Sequence, residues 1–308
     1  MSHLTNPVAT AAQLARCRDR AAALPLPDEL LDAVFFATQR LTQAAGLLLE
    51  LPQSTTARAN VLLARYWVQA PGFEVDLSRG SAPPSAIDFR HVSAAAVFLV
   101  AKTGPIPRSA RDVANVYHYL ATAGAAGAAG AAGNDAPNDN EYAAFHTHVL
   151  VCETRLLDAL AFETHVALPH PLAVTYLQAL SFLGMPGPPL DVSAPSPLAH
   201  RTVQYLNTAL LSPQLLYVTH QPHELAVAAL YNAARDLGAS LPDAAGPWWE
   251  VFDVDRETLG FLAVALRSVS SWAAAAQQQQ LAPELLGSVG GGLTKQKVLG
   301  QALRLQGE

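Results

Sequence analysis

The acidic cluster NDAPNDNE, with Asp135, Asp139 and Glu141, gathers three carboxylates in a short segment. Asp-rich helix segments hold magnesium and diphosphate in some all-α enzymes, so the cluster raises that chemistry first. It comes directly after the run AGAAGAAGAAG, however, and metal ligands need a rigid frame that such a run does not supply. A solvated loop that ends in a helix cap is the better reading. Two histidine pairs raise zinc chemistry. His146 and His148 stand at i, i+2, on different faces of a helix, and His220 and His223 straddle Pro222 in a loop. Neither pair has the i, i+4 spacing of an HExxH site, so no metal is expected. Arg111 and Asp112 come after Ala110, where a kinase catalytic loop would place histidine, and no glycine-rich phosphate loop accompanies them. Asp112 falls in the first turn of an expected helix, where a carboxylate interacts well with the helix dipole. No GxSxG elbow, Walker loop or Cys/His nucleophile pattern is present, so the chain is read as a non-enzyme with no catalytic residue and no cofactor.

One charge remains to be explained. In AVFLVAKTGPIPRSARDV, residues 96–113, five apolar residues run straight into Lys102, and Pro105 and Pro107 then break the structure. A matching acid lies in CETRLLDALAF, residues 152–162, where Glu153 and Leu157 share a helix face at i, i+4. Two readings are open. Lys102 and Glu153 form a pair between adjacent helices, worth about 0 to 1 kcal/mol if exposed. Alternatively, both reach a partner's backbone from an apolar platform.

Helices must position these residues, because nearly every periodic segment has three- and four-residue spacing and none alternates convincingly as a strand. Expected helices start at Pro27–Glu29, with Leu31, Val34, Phe35, Leu41, Ala45, Leu48 and Leu49 on one side and Pro52 as the stop. Ser54 or Thr55 caps the next. Further helices are expected over 86–102, 108–122, 141–162, 172–183, 197–211, 224–237, 248–252 and 255–276. The Pro/Gly/Ser stretch 70–85 is a loop. The Gly/Ala run with its acidic end, 123–140, is a mobile loop, because small side chains bury too little surface to offset the entropy of ordering. Four segments result: an N-terminal extension 1–27, a first bundle 28–168, a second bundle 169–276 and a flexible tail 277–308.

Bulk composition narrows the function classes. Charged residues are only 14% of 308, against roughly 25% in typical soluble proteins, which suits a chain partly covered by a partner. A net charge of -6 argues against a general nucleic-acid binder, although it leaves room for a local basic patch. Cys17 and Cys152 are too few for a disulfide framework and fit a reducing compartment. No N-terminal leader pattern is visible, and the longest small-apolar run, Val92 to Ala101, is about half of the ~20 residues that cross a bilayer. A soluble chain with no membrane partner is expected.

An internal repeat organises the rest. Setting AAVFLVAKTG (95–104) under AALYNAARDL (228–237) pairs Phe98 with Tyr231, Ala101 with Ala234 and Lys102 with Arg235, an offset of 133 residues from Lys102 to Arg235. Small side chains at consecutive positions let neighbouring helices approach from several sides, as the central helix of a bundle requires. Two tandem bundles of about five helices are the architecture this implies.

These segments together resemble the cyclin family, most of all cyclin L. The resemblance spans about residues 28–272. It is carried by LTQAAGLLLELPQSTTARANVLLARYW, AKTGPIPRSARDVANVYHYL, ETRLLDALAFETHVALPHPLAVTYLQAL and QPHELAVAALYNAARDLGASLP, with PWWEVF after them. It implies an all-α fold of two five-helix cyclin boxes and a nuclear regulatory subunit of a cyclin-dependent kinase acting in transcription and pre-mRNA splicing. It leaves room for a third regulatory subunit and implies no direct nucleic-acid contact. Leu99, Lys102, Glu153, Leu157 and Phe162 match positions that contact the kinase near its mobile C-helix. Binding would turn that helix inward, so that its glutamate meets the strand-β3 lysine. Gly104 and Pro105 stand where related cyclins carry two acids. The alternatives are a cyclin-fold scaffold that activates no kinase, or a general-transcription-factor-like protein.

Overall fold

The structure is a computed structural model, and it describes residues 4–22, 26–69, 88–126, 138–182, 196–242, 246–278, 282–290 and 293–306. The expected 70–85 loop, Asp135 and most of the Gly/Ala run lie outside them. The described elements are helical: α1 (Ala11–Ala22), α2 (Asp28–Leu48), α3 (Gln53–Gln69), α4 (Phe89–Thr103), α5 (Ala110–Ala126), α6 (Asp139–Ala159), α7 (Pro169–Phe182), α8 (Pro197–Ala209), α9 (Leu216–Thr219), α10 (Pro222–Leu237), α11 (Arg256–Gln278), α12 (Pro283–Leu286) and α13 (Lys295–Gln306), with a 3-10 turn at Glu250–Phe252. They form two compact units. One comprises Ala9–Thr164 with Ala274–Glu308, and the other Met1–Val8 with His165–Ala273.

In the first unit α4 is the axle, packed by α2, α3, α5 and α6. Its Ala94, Ala95, Ala96, Val97 and Ala101 are all fully buried, which only small side chains on several faces permit. A buried hydroxyl chain ties three helices: Thr42 Oγ1 and Ser93 Oγ are 2.7 Å apart, and Ser93 Oγ and the Tyr117 hydroxyl 2.7 Å apart. Helices α2 and α3 approach so closely at Gly46 that a Cβ there would sit 2.3 Å from Thr56 Oγ1. Beside this contact, Asn60 Nδ2 donates to the Gln39 carbonyl at 3.0 Å while Gln39 Nε2 returns a bond to the Asn60 carbonyl at 3.1 Å, so these buried amides are satisfied.

The second unit repeats the plan around α10, whose Ala226, Ala228, Ala229, Ala233 and Ala234 are buried against α7 and α8. Residue Asn6 belongs here: its Nδ2 donates to the Ala167 carbonyl and its Oδ1 accepts from the Ala167 N–H, both at 2.8 Å. Asp236 knots the unit together, accepting from Arg201, Tyr205 and Arg267. Helix α11 is long and apolar enough to cross a membrane by length and composition, which the sequence reading did not find. Its Leu259, Leu262, Leu266 and Val269 are buried, and it carries Arg256, Glu257 and Arg267, as suits an amphipathic core helix.

Three expectations need correction. Ser54 and Thr55 do not cap α3: the helix already starts at Gln53, and the Thr55 N–H bonds the Pro52 carbonyl at 2.9 Å. The expected 1–27 extension is not a single appendage, since α1 packs on α2 and α3 while Asn6 joins the other unit. The segment expected to be a flexible tail forms α12 and α13. Leu285, Leu286, Leu293, Val298 and Ala302 are buried, and Arg40 donates to the carbonyls of Leu285, Leu286 and Ser288 at 3.2, 2.9 and 2.7 Å. A cation on the last carbonyls of α12 also opposes the negative end of its dipole.

The entry to α4 is pH-sensitive. The Asp88 N–H donates to His91 Nδ1 at 2.8 Å, and the His91 ring lies edge-on to His148, with centroids 4.8 Å apart. Burial holds the imidazole neutral, pulling its pKa from 6.5 to about 4 against the opposing charge of Asp88. Because the folded value lies below the unfolded one, this contribution is complete above pH 6.5 and is lost as pH falls towards 4. Between pH 7 and 5 we expect urea unfolding to show a loss of about 2 kcal/mol from this group. His91→Gln should abolish that share; an unchanged pH dependence in the variant would show that His91 is not its source.

Candidate functional site

Lys102 occupies the last turn of α4, where its charge opposes the carbonyl end of the helix dipole. Two partners fix it. Its ammonium lies 5.2 Å from the centroid of the Phe98 ring, one turn back, and it pairs with Glu153 of α6. The pair is unequal in exposure: the Lys102 side chain is 40% exposed and that of Glu153 is 8%. Glu153 therefore acts from beneath as the anchor, and Lys102 presents half of itself to solvent. This is the intramolecular pairing, and it leaves Lys102 still able to offer an N–H outward.

The chain leaves α4 through a tight cap. The Gly104 N–H bonds the Ala101 carbonyl at 3.1 Å, and a Cβ at Gly104 would come within 2.9 Å of the Val100 carbonyl oxygen. An acidic residue at this position would have to displace backbone, which gives a local reason for glycine there. Arg108 then ties the break to the end of α2, its Nε donating to the Leu49 carbonyl at 2.7 Å. Ser109 opens α5: its hydroxyl donates to Asp112 at 2.7 Å, and that bond with the one from the Ser109 N–H holds the Asp112 carboxyl below its usual range. Asp112 is thus a capping residue.

Helix α6 ends at Ala159, short of the expected Phe162. The Phe162 N–H reaches the Leu157 carbonyl at 2.9 Å and the Ala161 N–H reaches Asp158 at 3.0 Å, a Schellman-type closure. Its left-handed positions are filled by Ala161 (φ 48°) and Phe162 (φ 62°) instead of glycine. Left-handed backbone at an L-residue costs roughly 1–2 kcal/mol. The conformation leaves the Phe162 ring 69% exposed.

The expected site residues therefore divide. Lys102 and Glu153 meet directly; Leu157 and Phe162 are joined by the helix closure, Leu157 partly exposed and Phe162 largely so. Leu99 is buried and supports α4 from inside without offering a surface. Leu150 and Val151 of α6 add exposed apolar area. Sequence reasoning did not assign Phe98 to the site, although its i, i+4 spacing to Lys102 signalled the ring–cation contact. The strained closure after α6 left no such signal, because ALAF reads as more helix. The other candidate chemistry disperses. Asp139 pairs with Arg111 at 3.2 Å, His146 stacks on Tyr142, and His220 stacks on Phe261. Burial pushes the Cys152 thiol up to about 12, so it is no nucleophile.

A five-helix bundle around a small-residue helix, occurring twice in tandem, defines the cyclin fold. Two solved structures share it: the yeast RNA polymerase II CTD kinase complex CTDK-1 (TM-score 0.59, 12% identity, 99% of this chain and 83% of that one) and the CAK complex of Chaetomium thermophilum bound to ATP-gamma-S (0.54, 16%, 97% and 85%). Among curated proteins the chain is similar to Cyclin-L1 of Gallus gallus, Cyclin-L2 of Mus musculus and Cyclin-L1 of Homo sapiens, each 30% identical over 219 residues. Those matches cover 71% of this chain but only 36%, 37% and 36% of the relatives, so the chain spans little more than a third of their length. No family model matches. The chain belongs to the cyclin family and is cyclin L-like in sequence.

The unequal burial of the pair has a measurable consequence. Lys102→Met strands a buried carboxylate and should cost about 2 kcal/mol, whereas Glu153→Gln frees a half-exposed ammonium into water and should cost under about 1 kcal/mol. Urea denaturation at pH 7 checks the order; a larger loss in Glu153→Gln would reverse the roles given to the two residues.

Proposed function

We propose that this chain is a regulatory subunit that binds and activates a cyclin-dependent serine/threonine kinase, of the kind that partners cyclin L, in nuclear transcription and pre-mRNA splicing. The observation that supports this most is the surface where α4 and α6 end. A half-exposed ammonium held by a buried carboxylate stands on a face whose Leu150, Leu157 and Phe162 retain exposed apolar area. The cyclin L relatives, and the kinase complexes that share the fold, support the same reading.

The physical action is positioning. Apolar contact with Leu157 and Phe162 supplies binding free energy, and the Lys102 N–H groups bond backbone carbonyls of the kinase C-helix region. Binding only the inward-turned state of that helix raises its population by the ratio of affinities for the two states. The active site is completed entirely by kinase groups, with no catalytic side chain from the cyclin. A third regulatory subunit is compatible with this arrangement. Gly104 and Pro105, in place of two acids, favour a second reading in which the kinase is bound but not activated.

Co-purification with candidate cyclin L-type kinases, and then phosphorylation of a generic substrate, tests both. Lys102→Glu should weaken the complex by about 2 to 5 kcal/mol. Phe162→Ala, at an exposed position, should weaken it at least tenfold with an unchanged thermal melt. Unaltered binding in both variants would sink the interface; full binding without stimulation would favour the scaffold.

A further inference from the structure

The internal repeat places a second copy of the Lys102 site on α10, and there the chemistry differs. At the offset of 133 residues, Phe98 corresponds to Tyr231, Leu99 to Asn232 and Lys102 to Arg235. The ring–cation contact is reproduced, with the Arg235 guanidinium 5.7 Å from the Tyr231 ring centroid. The anchoring acid is not. Where buried Leu99 packs in the first box, buried Asn232 turns polar groups towards α11: its Nδ2 donates to the Ala263 carbonyl at 2.9 Å and its Oδ1 accepts from Arg267 Nε at 2.8 Å. The fifth helix of this box thus sets a cation against α10 at Asn232, whereas that of the first sets a carboxylate against α4 at Lys102.

Between α10 and α11 lies an open groove of about 830 Å³, lined by Arg235, Arg256 and Arg267 together with Tyr231, Trp249 and Val264. The three guanidiniums are differently compensated. Arg267 shares Asp236 with Arg201, through contacts of 2.5 and 2.7 Å. Arg235 and Arg256 have no carboxylate within ion-pair distance among the described residues. Among the described residues Arg235 donates only to the Tyr231 hydroxyl, at 3.0 Å. Trp249 holds a buried indole N–H without an acceptor among the described residues, and Val264 is 69% exposed. Two unpaired cations, a third fixed by a buried amide, an indole ring and an apolar wall occur in one concavity of ligand size.

We propose that this groove is a docking site for a phosphorylated serine or threonine in a peptide segment of a partner protein. A phosphate monoester carries about -1.5 to -2 charges at pH 7, which matches the two unpaired arginines, and its three oxygens suit planar guanidinium donors. Val264 and the faces of Tyr231 and Trp249 receive an apolar residue beside it. The occupant is a short segment, because the cations converge on one concavity and the chain as a whole has a net charge of -6, which repels a long polyanion. The site is independent of kinase binding at α4 and α6.

Fluorescence polarisation with the full chain tests it, using a labelled hexapeptide with one phosphoserine preceding leucine and its unphosphorylated twin. The phosphopeptide should bind at least tenfold more tightly than the twin. R235Q/R256Q, at exposed side chains, should reduce it to the level of the twin with an unchanged thermal melt, and Lys102→Glu should leave binding intact. The Trp249 indole N–H resonance, assigned with Trp249→Phe, should move on titration. Equal binding of the two peptides, no binding at millimolar concentration, or full binding by R235Q/R256Q would overturn the proposal. So would displacement of the phosphopeptide by a single-stranded RNA dodecamer at lower concentration, which would assign the cations to nucleic acid.

Discussion

The whole architecture depends on one steric condition: α4 and α10 must be narrow on nearly every side. Ala94, Ala95 and Ala96 in one, and Ala226, Ala228 and Ala229 in the other, have essentially no exposed surface. A single leucine among them would push at least one neighbouring helix outward, and overpacking of a tight core typically costs about 1–3 kcal/mol. Alanine residues also lose no side-chain entropy on burial and favour helix intrinsically. A helix so enclosed has only its end free, and that is where each box displays its cation: Lys102 on α4 and Arg235 on α10.

From this condition the proposed kinase surface is built in steps. Because α6 packs along α4, Glu153 is buried beside the last turn and Lys102 is drawn over it, with Phe98 beneath. The strained closure after α6 then exposes Phe162 at the end of that helix. Backbone held in a sparsely populated region persists only where its surroundings over-determine it, and such positions concentrate at functional sites. The second box retains the ring–cation contact but has Asn232 in place of the leucine, holds Arg267 against it, and lines a groove with three arginines. One repeated plan thus underlies both the proposed kinase surface and the proposed phosphopeptide groove.

Much of this was legible in the sequence, for identifiable reasons. The helices announce themselves through apolar spacing, and α4 and α10 through a repeat in which small residues, an aromatic and a base keep register. Lys102 stood out because a charge at the end of an apolar run needs a partner, and Glu153 lay on the matching face of a neighbouring helix. Where local signals mislead, tertiary contacts decide. Ser54 and Thr55 look like caps, but Pro52 already supplies the first acceptor. Residues 283–306 look loose because they lie among glutamine and glycine runs, yet Leu285, Leu286, Leu293 and Val298 find a surface and Arg40 closes α12. The end of α6 was illegible because nothing in ALAF marks left-handed backbone, which glycine or asparagine would have signalled. Asn232 gave no sign of its role, since a buried amide's partners come from a helix about thirty residues away.

The pairing of Lys102 with Glu153 is structural, and the claim built on it is that the outward half of Lys102 also serves a kinase. Exchanging the two charges separates these roles. In the double variant K102E/E153K the internal pair is restored with reversed polarity, so most of the stability lost in K102E alone should return. Kinase affinity, measured by surface plasmon resonance against the same immobilised kinase, should stay at the weakened level of K102E, because the group facing the partner is now an acid. Recovery of affinity together with stability would contradict the interface and leave the pair with a purely structural purpose.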